Sequence, residues 1–202
     1  MNQALILIDL QNDFCPGGAL AVKDGDSTLA VANQYAAEFH RLQRPVVATL
    51  DWHPANHGSF ASVSGQSVGT LGELDGLPQI GWPDHCVQHS AGAELHPELD
   101  RRYLTTQIYK GEQPLIDSYS AFFDNGHRNK TRLDSWLKSR GVTSLTMMGL
   151  ATDYCVKYSV LDALALGYQV QVVAAGCRGV NLSPQDSEIA LAEMAAKGAV
   201  II

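Results

Sequence analysis

The sequence predicts a Rossmann-like three-layer α/β fold, in which a six-stranded, mostly parallel sheet carries helices on both faces. Three observations predict it. Short apolar runs of strand length alternate with stretches whose apolar residues recur at helical spacing, the pattern of βαβ units. Three of the helical stretches stop at a glycine (Gly141, Gly167 and Gly198) and a strand run follows at once, as expected where the position after a helix needs positive φ. The first three strand runs end in polar residues, Asp9, Asp51 and Lys110, which in open α/β sheets face the ligand crevice at the carboxyl edge. The chain of 202 residues is long enough for one continuous core, and no linker or repeat divides it. Residues 1–202 are therefore expected to form one domain.

Taken in order, ALILID is an apolar run closed by Asp9 and suits a buried parallel strand. A glycine-rich loop follows, then Leu29, Ala32, Ala36 and Phe39 at helical spacing, with Asp26 or Ser27 as the cap. VVATLD, after Pro45, is the second strand. Residues 52–94 are rich in Gly, His, Pro and Ser and lack periodicity; a stretch of this kind with tryptophans and histidines points to function rather than to a linker. TTQIYK is the next strand, KTRLDSWLKSRG a helix, VTSLTMMG a strand, YCVKYSVLDALALG a helix and YQVQVVA a strand. Ser183-Pro184 is expected to open the last helix, with serine as cap and proline in the first turn, and AVII is the sixth strand.

Composition narrows the function. Hydrophobic residues make up 46% and charged residues 17%, an ordinary globular balance. The net charge is −7 with no basic cluster, which argues against nucleic acid and favours a small-molecule substrate. The N-terminal apolar run has no basic residues before it and no run is long enough to span a bilayer, so the cytoplasm is the expected location. Cys15, Cys86, Cys155 and Cys177 form no CxxC pair and are expected to be free thiols. Cys86 and Cys177 are expected to be small buried hydrophobes, and Cys15 has no assigned role.

The polar residues at the strand ends suggest chemistry. Asp9, Lys110 and Cys155 close or follow three different strands and should converge. Cys155 sits at a seam between strand and helix, where the helix N-terminus and a lysine both favour thiolate. A carboxylate beside it could take the thiol proton and deliver it to a leaving group, and backbone N–H groups at the helix start could hold an oxyanion. A lone aspartate at a strand end is otherwise a turn former, but an unpaired carboxylate after five buried apolar residues would be costly. Asp51 and His53 lie two apart in an extended segment and face one side, half of a divalent-metal site. His57 and His85 are the candidates for a third ligand.

Six stretches, LILIDLQNDFCPGGAL, DWHPANHGSFA, WPDHCVQHS, KGEQPLIDSYSAFFD, MGLATDYCVKYSVLDALALGY and CRGVN, resemble the nicotinamidases, or pyrazinamidases, of bacteria, within the isochorismatase-like hydrolases. The resemblance runs through essentially the whole chain in order. It implies a Cys–Asp–Lys amidohydrolase: Cys155 as nucleophile, Asp9 as proton shuttle, and Lys110 as the charge that holds both. Nicotinamide would be attacked at its amide carbonyl, ammonia would leave, and water would hydrolyse a thioester to nicotinate, a step of NAD salvage. The resemblance also implies an oxyanion hole from the N–H groups of Ala151 and Cys155, and a cis Leu150–Ala151 peptide that sequence physics alone would not suggest. The implied metal ligands are Asp51, His53 and His85, with zinc first and iron or manganese as alternatives; His57 is not included. Phe14, Trp82 and Tyr119 are the implied walls for the pyridine ring. Members of the family continue beyond the residues that match AVII, so further chain would be expected there. A homo-oligomer is compatible with the sequence.

Three other functions compete. Isochorismatase-type vinyl-ether hydrolases lack the nucleophilic cysteine, so Cys155 argues against them. N-carbamoylsarcosine amidases share the Cys–Asp–Lys set, and the DWH and WPDH segments favour nicotinamide over that substrate. A non-catalytic metal-binding scaffold would not need Asp9, Lys110 and Cys155 together.

Overall fold

The computed structural model describes residues 2–202. In chain order its elements are β1 (Gln3–Ile8), α1 (Ser27–Arg41), β2 (Val46–Asp51), α2 (Ala61–Ser64), β3 (Leu71–Leu74), β4 (Leu77–Ile80), β5 (Thr106–Lys110), α3 (Leu133–Lys138), β6 (Ser144–Leu150), α4 (Lys157–Ala165), β7 (Gln169–Arg178), α5 (Asp186–Ala196) and β8 (Val200–Ile201). Short 3-10 turns lie at Asn12–Phe14 and Arg101–Tyr103, and a π-helical turn, Thr152–Val156, leads into α4.

The main sheet has six strands in the order β5-β2-β1-β6-β7-β8, and every neighbouring pair is parallel. From β1 the chain moves to β2 and β5 on one side; from β6 it moves to β7 and β8 on the other. Right-handed crossovers in opposite directions put α1 on one face and α4 and α5 on the other. The order reverses between β1 and β6, and the carboxyl ends of that pair are where a ligand crevice opens. Ala4 to Ile8 and the whole of β6 are buried, as the apolar runs of a central parallel strand require.

Gly149 permits the close approach of these two strands at the crevice. It has φ +136, and a Cβ there would overlap the Ile8 carbonyl. The next peptide, Leu150–Ala151, is cis, as the family resemblance implies. Gly141, Gly167 and Gly198 all have positive φ, in agreement with their expected place after helices.

Four details differ from the sequence expectations. No side chain caps α1: the Ser27 hydroxyl donates to the Asp24 carbonyl, and Asp26 makes no cap bond. The last helix begins at Asp186, not at Ser183-Pro184; Asp186 reaches back to accept the Ser183 N–H at 2.7 Å, so Ser-Pro forms the preceding turn. The helix carrying Cys155 opens as a π turn rather than an α turn. Within the irregular residues 52–94, β3 and β4 form an antiparallel hairpin. No helix among the described residues is long and apolar enough to cross a membrane.

Candidate active site

The crevice at the carboxyl edge collects the strand-end residues. Ile8 pairs with Gly149, and Asp51 pairs with Lys110, so Asp9, Asp51, Lys110 and Cys155 meet at one point. All four are buried. Lys110 Nζ lies 3.0 Å from Asp9 Oδ2 and 3.3 Å from Cys155 Sγ, donates to the Ser118 carbonyl at 2.8 Å, and is paired with Asp51. Thr49 donates its hydroxyl to Asp9 Oδ1 at 2.6 Å, which fixes the carboxylate's second oxygen. The expected convergence of Asp9, Lys110 and Cys155 is therefore present, with Asp51 as a fourth member.

Burial and charge oppose each other at this point. Burial would push the Lys110 ammonium down, but Asp51, Asp9 and Cys155 hold its pKa well above the ordinary lysine value. Burial would raise the Asp51 carboxyl, yet Lys110, His53 and His85 bring it below the usual carboxylate range. At Asp9 burial wins over Lys110, and the pKa is raised. At Cys155 burial likewise outweighs Lys110, so the thiol lies well above its ordinary value. Carboxylate oxygens of Asp9 and Asp51 lie within 4.8 Å of the sulfur, close enough for Asp9 to take the thiol proton.

Beside this cluster, ligand atoms of Asp51, His53 and His85 lie within 4.8 Å of one another. His53 Nδ1 donates to the Gly111 carbonyl at 2.9 Å, and His85 Nδ1 to the Pro83 carbonyl at 2.7 Å. A carbonyl on Nδ1 selects the tautomer whose Nε2 lone pair is free. His53 Nε2 is buried without a hydrogen-bond partner, 3.6 Å from Asp51 Oδ2, and His85 Nε2 lies 3.8 Å from the same oxygen. Burial, with the neighbouring His53, lowers His85 to about 4, so its ring is neutral. Burial works against a charge on His53 too, but Asp51 outweighs it and raises the pKa. An orphaned imidazole nitrogen, a neutral imidazole and a carboxylate aimed at one point fit a divalent cation. His57 does not share that role: its Nδ1 meets Ser59 Oγ at 2.7 Å and its Nε2 the Ile116 carbonyl at 3.3 Å, so both nitrogens are engaged.

A narrow cavity opens onto both clusters. Phe14, Trp82, Tyr119 and Tyr154 wall it, and Asp51, His85 and Cys155 reach its lining. Trp82 packs edge-on to Tyr154 at 4.9 Å and donates its indole N–H to the Tyr119 hydroxyl at 3.1 Å. The three aromatics named from the sequence all line the cavity. Tyr154, Leu20, Val180 and the buried carboxylate of Asp117 line it as well and were not singled out. Tyr154 directly precedes the nucleophile, which is the one sequence signal that could have identified it. Ala151 lines the cavity floor; its carbonyl accepts the N–H groups of Tyr154 and Val156, on either side of Cys155.

The family model for the isochorismatase domain matches residues 3–202. The chain is 60% identical over 199 residues to the nicotinamidase of Escherichia coli K12, covering 98% of this chain and 93% of that one. Among solved structures, the nicotinamidase/pyrazinamidase of Acinetobacter baumanii superposes with a TM-score of 0.94 at 41% identity, covering 100% of this chain and 95% of the other. The pyrazinamidase of Pyrococcus horikoshii in complex with zinc superposes at 0.83 and 37% identity, covering 100% and 99%.

Proposed function

The chain belongs to the isochorismatase family, and from that membership we propose that it hydrolyses nicotinamide, and pyrazinamide, to the acid and ammonia through a thioester on Cys155. The carrying observation is the buried contact of Lys110 with Asp9 and Cys155 beside a narrow aromatic-walled cavity. The 60% identity to a nicotinamidase supports the substrate.

Each residue has a distinct task. The flat ring enters between Trp82, Phe14 and the tyrosines, with the amide carbon facing Cys155 Sγ. Because burial keeps the thiol protonated, Asp9 takes the proton as sulfur attacks, in one step. Lys110 stays charged and balances Asp9 and the developing anion. The N–H groups of Ala151 and Cys155 receive the oxyanion; the π turn supports this, since Ala151 O bonds Tyr154 and Val156 and passes over Cys155. Asp9 returns the proton to nitrogen, the C–N bond breaks and ammonia leaves. Asp9 then draws a proton from water, which attacks the thioester; the C–S bond breaks and the proton returns to sulfur.

Asp51, His53 and His85 would hold a divalent ion, zinc first and iron or manganese as alternatives. Bound there, the ion supplies a Lewis-acid centre for the pyridine nitrogen and so orients the ring. A chelator should therefore lower the rate of ammonia release from nicotinamide by about 100-fold, the scale of a misoriented substrate, and zinc should restore it. Full activity in metal-free protein would reduce the three residues to a structural role.

Trp82→Ala should raise KM for nicotinamide about tenfold with little change in kcat, since stacking on a heteroaromatic ring is worth about 1–3 kcal/mol and acts on ground and transition states alike. Steady-state kinetics check this; an unchanged KM would remove Trp82 from the ring site.

A further inference from the structure

We propose that residues 11–13, which supply no ligand themselves, form the template that sets the geometry of the metal site, with Gln11 and Asp13 as positioning residues. The inference rests on the reading that Asp51, His53 and His85 hold the ion.

Gln11 is polar yet fully buried. Its Nε2 donates to the Asp51 carbonyl and the Ala93 carbonyl, each at 2.8 Å, and its Oε1 accepts the Asp51 N–H at 2.8 Å. One amide thus grips both backbone groups of a ligand residue, and both of its donors are used. Asp13 holds the backbone beside the other ligand. Its Oδ2 accepts the N–H of Cys86, the residue after His85, at 2.7 Å, and its Oδ1 accepts the Ala19 N–H at 3.1 Å. Cys86 has φ +46, a region that a residue other than glycine occupies only when something holds it there.

The loop fits where it does because two glycines make room for it. A Cβ on Gly92 would overlap the Asp13 carboxylate, and one on Gly18 would overlap the Asp13 backbone. A single turn after β1 therefore contacts both ligand-bearing segments, which also pair with each other where His53 bridges Val87. Cation sites depend on such partners because ligand atoms must be held within about half an ångström of the productive geometry.

The test is zinc affinity, measured by chelator competition on the full chain rather than by activity. Gln11→Glu keeps the shape but loses the two donors. Asp13→Asn keeps the shape but turns one acceptor into a donor facing an N–H. Each should weaken zinc binding about 10- to 100-fold, the range for outer partners of metal ligands, while the melting curve of the metal-free protein stays cooperative. Gly92→Ala substitutes no ligand and neither loop residue but forces the Asp13 carboxylate aside, so it should also weaken zinc binding and serves if either other variant fails to fold. His85→Ala is the control. If it weakens zinc binding and the loop variants do not, the template is overturned and the metal reading stands. If His85→Ala leaves zinc affinity unchanged, the metal reading itself fails and the template with it.

Discussion

Cys155→Ala is expected to stop ammonia release from nicotinamide, lowering the rate by about 10⁴-fold or more, as for other nucleophiles that act as part of a unit. The size of the effect follows from the lack of a substitute. Cys15 and Cys177 are buried and pushed up to about 11, and burial raises Cys86 well above its ordinary value. None of the three lines the cavity. The substitution removes only a sulfur from a small, buried side chain, so the fold and zinc binding should survive. Ammonia release and trapping of a thioester adduct by mass spectrometry check both parts. A residual rate within tenfold of the intact protein would mean that Asp9 directs water at the amide and that no covalent intermediate is needed.

Lys110→Met should damage the protein twice. The lysine is almost wholly buried and, among the described residues, is the one cation in contact with both Asp9 and Asp51. Removing it leaves two buried carboxylates facing each other, and breaking a buried pair costs about 3–5 kcal/mol. For a chain of this size that corresponds to a fall in Tm of about 10 °C or more. Activity should fall with it, because Asp9 loses the charge that opposes its burial. Zinc should recover part of the lost Tm by placing positive charge beside Asp51, and little of the activity. Calorimetry with and without zinc separates these effects. An unchanged Tm would show that the carboxylates are relieved by some other group.

The sequence made some parts of this protein legible and hid others. Asp9, Lys110 and Cys155 could be placed together because each ends or follows an apolar run, and a parallel sheet puts such ends on one edge. The glycines at 141, 167 and 198 marked helix ends because the backbone requires them there. The choice between His85 and His57 was not open to spacing rules, since both lie in an irregular segment; it turns on which ring nitrogens are already engaged. The hairpin of β3 and β4 was missed because its short strands carry Gly72 and Pro78, which erase the alternation. Gln11 and Asp13 read as ordinary loop polar residues, and only their buried partners reveal their work. The pull of burial against the Cys155 thiolate was not legible, because helix start and lysine can be read from sequence, whereas desolvation cannot.

The reversal of strand order between β1 and β6 also bears on how the chain is made. The two central strands lie far apart in sequence, at Gln3–Ile8 and Ser144–Leu150, so the middle of the sheet cannot close until most of the chain is available. Until then β1 presents one unpaired apolar edge, the kind of surface that recruits foreign strands or chaperones. Such distant pairing slows folding, since the loop must close before any contact rewards it. The same step brings Asp9 to Cys155. A chain arrested before β6 would therefore be sticky and inert at once, and reactivity at the thiol would arise only as that last vulnerable edge disappears.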